Sequence, residues 1–327
     1  MEENNVMDIE LTPEMFEKLD DSKKNSEKIS YESKTYLADA WNRFKANKLA
    51  LVGLCFLAIM AIACILVPMF SQYTYDGQDM ANTFAKPSAE HFLGTDRFGR
   101  DVLVRIMYGG RISLAVGFSA ASISLLIGVT YGAIAGYFGG KIDMVMMRIV
   151  DVIYSLPDML MIILLSVVLN VTLAPAIEGT ALSKLGTNMI SIFIVFGLLY
   201  WVGMARLVRG QVLSIKSSEY VLAARCIGTK GSKILSIHII PNCLSVIIIT
   251  TALQIPSAIF TESYLSFLGL GVAAPLTSLG SLANTARAGM QSYPSKLVIP
   301  AVTICLIVLA FNLLGDGLRD AFDSKLK

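Results

Sequence analysis

The sequence predicts an all-α, polytopic membrane protein with six transmembrane helices. Three observations carry that prediction. Composition comes first: 54% of the 327 residues are hydrophobic, 16% are charged, and the mean hydropathy is +0.63. A soluble domain carries about 25% charged residues. Second, several apolar runs are long enough to cross a hydrocarbon core of about 30 Å at 1.5 Å per helical residue. Third, the basic residues between those runs are distributed unevenly, which orients them.

Residues 1–35 read as a flexible cytoplasmic tail, polar and of mixed charge, with little to bury. Thr12 is placed to cap a short helix starting at Pro13. No apolar run opens the chain, so the first run is expected to remain as an anchor rather than leave with a signal peptide. Residues 36–48 read as an amphipathic lead-in. Leu37, Ala40, Trp41 and Phe44 share a face, with Arg43, Lys45 and Lys48 beside it. That suits an interfacial helix, or simply a basic flank.

Residues 49–70 carry no charge over 22 positions and form span one. With the polar extracytoplasmic loop 71–111 they make a first segment, and residues 112–320 are expected to make a five-helix core. Residues 112–135 form span two, with Gly117 and Gly128 suited to close helix contacts. A short loop, 136–148, turns at Gly139 and Gly140. Residues 149–171 form span three in spite of Asp151, Pro157 and Asp158. An acid at mid-membrane costs about 2.5–3.5 kcal/mol. Asp151 lies near one end, and Arg148, one turn earlier, is placed to pair with it. Pro157 is expected to loosen the helix. After a Gly/Pro-punctuated loop at 172–188, spans four, five and six fall at 189–205, 244–265 and 297–315. The stretch between the last two holds Gly269, Gly271, Pro275 and Gly280, too many breakers for a seventh span.

Six spans put both termini on one side. With that side cytoplasmic, 19 of the 27 Lys and Arg lie inside, as the positive-inside rule requires. The loop at 71–111 runs against the rule, with five basic residues. The near-balanced net charge of +2 argues against a nucleic-acid partner. The five cysteines and two histidines show no metal-ligand spacing, so the cysteines read as small hydrophobes and no metal is expected. No Gly-rich run ends in Gly-Lys-Ser or Gly-Lys-Thr, so no phosphate-cradling loop is expected either.

Residues 206–241 form a basic loop with six Lys/Arg and one Glu. Ser217 or Ser218 can cap a helix beginning near Glu219. Ala223 and Ala224 offer almost no side chain, and Gly228 breaks or bends that helix. A second short helix fits 230–238, and Pro241 starts the next span. Such a pair suits either insertion into a groove on another protein or a lateral position on lipid.

Leu222-Ala223-Ala224, Gly228 and His238-Ile239-Ile240-Pro241 keep the spacing of the "EAA" loop of inner-membrane permeases in ABC importers, which this loop resembles. Leu222 stands where that pattern has glutamate, and Glu219 lies three positions upstream. Three further stretches resemble the dipeptide/oligopeptide branch: His91 through Asp101 and on to Ser113-Leu114; Asp143, Arg148, Asp151 and Pro157; and Thr261-Glu262-Ser263 through Gly271 and Pro275. The resemblance covers roughly residues 36–322.

It implies a type I ABC importer permease fold and a C-type permease subunit of an oligopeptide importer in a bacterial cell membrane. The implied partners are a homologous second permease, two cytoplasmic ABC ATPases, an extracytoplasmic binding protein, a peptide and the bilayer. This chain would not be an enzyme and would bind no cofactor, ATP and Mg being held by the ATPases. Glu219, Leu222, Ala223, Ala224, Gly228, His238 and Pro241 would form the ATPase-coupling loop. Glu262, Asp151, Arg148 and Pro157 are candidates for the translocation path or a gate, against structural roles. Asp96, Arg97, Arg100 and Asp101 would shape the extracytoplasmic face, or fold its loop. Dipeptides, nickel or glutathione are alternative cargoes. A secondary transporter working without ATPases is the rival from hydropathy alone.

Overall fold

In a computed structural model of the chain, residues 36–274 and 276–322 are described. The tail expectations, including the Thr12 cap, lie outside them. The described residues are helical, with one isolated bridge between Thr95 and Asp101. In order they form α1 (Tyr36–Ala46), α2 (Lys48–Phe70), α3 (Val102–Phe138), α4 (Gly140–Tyr154), α5 (Asp158–Ile177), α6 (Thr187–Leu199), α7 (Trp201–Lys216), α8 (Glu219–Cys226), α9 (Gly231–Lys233), α10 (Ile240–Phe267), α11 (Leu279–Arg287) and α12 (Ser295–Phe322). A widened π turn, Ile234–Ile239, joins α9 to α10, so that Gly231–Phe267 is one helical run. Among the described residues, six stretches are long and apolar enough to span: α2, α3, α5, α6 with α7, the run Gly231–Phe267, and α12.

Several boundaries differ from the sequence expectation, each for a physical reason. Span two begins ten residues early, because Asp101 caps α3 by accepting from Val104 N at 2.8 Å. Arg105 and Arg111 are therefore helical rather than in the loop. Arg105 lies buried because its guanidinium donates to Tyr75 O and Thr277 Oγ1. The expected loop 136–148 is the start of α4, entered through Gly139 and Gly140 at φ +67° and +55°. Pro157 does more than loosen span three. The helix stops at Tyr154 and restarts at Asp158, and the span then runs on to Ile177.

Span four is two helices broken at Tyr200, and its second half carries the chain to Lys216. The basic loop thus shrinks from 206–241 to residues 217–230, which include α8. The expected helix at 230–238 is the beginning of span five. Pro241 cannot donate to the carbonyl one turn back, and the turn just before it is the widened one. The stretch after Phe267 makes the short α11 and no further span. In the lead-in, Ala40 and Phe44 are buried against Ala50 and Ala321, whereas Trp41 is exposed.

Lipid supplies no hydrophobic drive between helices, so close packing must hold the bundle. Gly128, Gly132 and Gly136 form a stripe along α3 that lies on the backbone of α7: a Cβ on Gly132 would collide with the Ala205 carbonyl, and one on Gly136 would crowd the Arg209 carbonyl. Gly117 plays the same part against Ile255 and Ile259 of α10. Valine at 132 is expected to destabilise the protein by about 1–3 kcal/mol. Gly210, mid-α7 with open space around it, tolerates alanine and gains up to about 1 kcal/mol. Thermal unfolding of the two variants in detergent, one midpoint falling and the other level or rising, checks this.

Candidate functional site

At one end of the bundle, α8 is held out from the long helices as a short elbow. Ser218 is its N-cap residue, but the Ser218 hydroxyl donates back to Ile215 O at 2.6 Å rather than accepting from the helix start. The helix is closed at its C-terminus by glycine geometry. Gly228 takes φ +79°, its N–H donates to Arg225 O, and Thr229 N–H donates to Ala224 O.

One face of α8 anchors it. Val221 and Ala224 are buried with Val208, Val212, Ile234, Ile239 and Cys243. Lys216 donates to the carbonyls of Tyr137 and Gly136, and Gly231 packs so close to Tyr137 that a Cβ would strike its hydroxyl. These three residues carry no signal in the sequence, because a tyrosine, a lysine and a glycine become a platform only once α3 and α7 lie together.

The opposite face is free. Glu219, Tyr220, Leu222, Ala223, Arg225, Cys226, Ile227 and Gly228 are exposed, and Ile227 shows 82% of its surface. The residues expected to form a coupling loop therefore divide. Ala223, Leu222, Glu219 and Gly228 lie on the outward face, Ala224 is packing, and His238 is half-buried in the π turn, its carbonyl accepting from Asn242 Nδ2 at 2.6 Å. Pro241 is exposed at the start of α10.

α4 is fastened beside α7 by two ion pairs. Arg209 grips Asp143 in a two-point contact with both distances 2.6 Å, and Arg206 meets Asp151 at 2.7 Å while its guanidinium lies over the Tyr154 ring. This corrects the expected Arg148–Asp151 pairing: the partner of Asp151 comes from α7, and Arg148 is exposed. A residue one turn away on the same helix was the only partner that spacing could suggest. Pro157 sits in the exposed break before α5.

Glu262 is fully buried. Its carboxylate accepts from Ser113 Oγ at 2.8 Å and Ser266 Oγ at 2.7 Å, with Ser263 at 3.4 Å. Ser113 in turn accepts from Leu279 N at 3.4 Å. The acid ties α3, α10 and the start of α11 together. At the end of the bundle away from α8, Asp96 accepts from Phe98 N, Arg100 N and Arg100 Nε, and Asp101 accepts from His91 Nδ1 at 2.9 Å. Asp96 and Arg100 thus pair inside the loop, while Asp96 also meets Arg105 Nε of α3 at 3.7 Å and Asp101 ties the loop to the start of α3. Arg97 is exposed, and it lines a cavity of about 390 Å³ with Arg105, Tyr293 and Lys296.

Six spans with a short helix held out on a packed platform define a multi-pass membrane protein of the transport-permease class. The chain belongs to the family of binding-protein-dependent transport system inner membrane components, whose pattern matches residues 128–327. Residues 35–87 match the N-terminal transmembrane domain of oligopeptide transport permease C. The chain is 44% identical to an oligopeptide transport system permease protein of Bacillus subtilis, across 96% of this chain and 97% of that one. It is 44% identical to a dipeptide transport system permease protein of the same organism, across 93% and 90%. It is 42% identical to an oligopeptide transport system permease protein of Escherichia coli K12, across 93% and 98%.

The two adjacent alanines should behave differently. Ala224→Trp forces a large ring into a filled space and is expected to lower stability by about 1–3 kcal/mol. Ala223→Trp, on the free face, is expected to stay within about 0.5 kcal/mol of wild type. Denaturation of both variants in detergent tests the assignment of the two faces.

Proposed function

We propose that this chain is one of two permease subunits of an ATP-driven peptide importer in a bacterial cell membrane, with both termini cytoplasmic and oligopeptides as cargo. The observation that carries the reading is α8: a short helix that exposes Ala223 and its glycine stop on an outer face and is anchored by its inner face between the ends of three long helices. It is placed to seat in a groove on a cytoplasmic ATPase. Movement of α8 would then be passed into the bundle through α7, to which it is joined by two residues, and through the run Gly231–Phe267. ATP and Mg belong to the ATPases on this reading, and the permease supplies half of the path. The extracytoplasmic loop, with Arg97 exposed, faces the binding protein that delivers cargo. Among the relatives described above, two are named for oligopeptide and one for dipeptide transport, so cargo length is the finer question.

Two measurements test the reading. Affinity purification of the tagged chain from its own membrane should recover a second permease and ABC ATPases. Recovery of the chain alone, active in liposomes without ATP, would overturn it. In the reconstituted complex, Ala223→Trp should weaken ATPase retention and abolish ATP-driven uptake of a labelled oligopeptide while the chain stays in the membrane. Gly228→Val should do the same. It also strains a left-handed residue by roughly 1–2 kcal/mol, which Gly228→Asn should largely relieve. Normal coupling in Ala223→Trp would show that α8 is not the docking element.

A further inference from the structure

One passage through the bundle is broken at Tyr200, another begins at Asp158 after the Pro157 interruption, and the two places line one cavity. α4 ends at Tyr154 and α5 begins at Asp158; α6 ends at Leu199 and α7 begins at Trp201. Between them and α10 lies a cavity of about 330 Å³, whose wall includes Tyr154, Asp158, Tyr200, Gly203, Gln254 and Thr261. α6 has 13 residues and α7 has 16, so the break lies about 20–25 Å from each end of that span. This is deep in the hydrocarbon, where lipid can satisfy no backbone polar group and a broken helix persists only against protein or a watered path.

The polar groups at the break are mostly accounted for. The Tyr200 carbonyl accepts from Gln254 Nε2 at 2.6 Å and Ser124 Oγ at 3.0 Å, and the Tyr200 hydroxyl donates to Thr261 Oγ1 at 2.8 Å. Two acceptors stand out among what remains. Asp158 is exposed and has no ion pair or hydrogen bond among the described residues. Gln254 Oε1 is buried without a partner. None of the residues lining the cavity is basic. The wall therefore holds one anionic acceptor and one buried amide oxygen, beside the hydroxyls of Tyr154 and Ser257, and a ligand that brings a cation and an N–H donor satisfies both acceptors.

Resting on the peptide-importer reading above, we infer that this cavity is the part of the translocation path that holds the amino-terminal end of the cargo. Asp158 takes the α-ammonium group, and Gln254 Oε1 takes a backbone N–H. Both features are common to peptides of every sequence, so contact here would not limit side-chain variety. Gly203 leaves the room: a Cβ placed there meets nothing within 4 Å.

The test uses the complete complex with its binding protein in proteoliposomes, and a tritiated short peptide with a free amino terminus. Asp158→Asn should lower ATP-driven uptake roughly tenfold, the loss of one charge-assisted hydrogen bond, and Asp158→Glu should restore most of it. Gly203→Trp should fill the cavity and stop uptake, whereas Gly203→Ala should not. A photoreactive side chain replacing Met159, beside Asp158, should label the peptide during turnover, and the same probe at exposed Leu164 on another face of α5 should not. Normal uptake in both Asp158→Asn and Gly203→Trp, with no peptide labelled from Met159, would overturn the inference and leave the importer reading standing. So would labelling of the second permease in place of the peptide. Failure of the wild-type complex to take up any peptide with ATP would instead bring down the importer reading and this inference with it.

Discussion

The contact between α3 and α7 is the constraint on which the rest of the structure depends. Gly128, Gly132 and Gly136 recur every four residues on one face of α3, and the backbone of α7 lies against them. In lipid there is no water to drive apolar faces together, so association rests on dispersion at short range, which falls off steeply with any gap. Three absent side chains let two backbones approach over two turns of helix. Once α7 is fixed there, Arg206 and Arg209 are fixed too, and they bind Asp151 and Asp143 and so position α4. The same docking brings Lys216 to the end of α3, where the Tyr137 carbonyl receives it.

The two ends of the bundle use their polar residues differently. Near α8 the buried face is apolar and the outer face is exposed, so the element is firmly seated yet available. At the other end most of the charge is consumed locally. Asp96 and Asp101 close their own loop, and Glu262 binds serines from α3 and α10 at the root of α11. A buried carboxyl group is tolerated when its oxygens are hydrogen-bonded, and Ser113, Ser263 and Ser266 clustered around Glu262 supply those bonds.

Much of this was legible in the sequence, and the failures have a common cause. Apolar runs announced every span, and Gly117 and Gly128 announced close helix contacts. Gly132 and Gly136 belong to the same stripe, but Gly136 read as the start of a loop because Gly139 and Gly140 follow it. Charges misled in the same way. Arg105 and Arg111 read as loop residues, and Arg206 and Arg209 as the start of one, because a charge in an apolar context normally ends a span. Each of Arg105, Arg206 and Arg209 is helical because a partner distant in sequence receives it: Thr277, Asp151 and Asp143 respectively.

The sequence by itself determined the class of protein, the number of spans, and the short helix with its glycine stop, since hydropathy, capping and left-handed turns are local properties of the chain. Tertiary structure alone decided which face of α8 is free, which arginine Asp151 binds, and that Glu262 is buried among serines. It alone decided that the breaks at Pro157 and Tyr200 share a cavity. Those outcomes depend on which helices touch, and contacts between residues distant in the chain leave no periodicity to read.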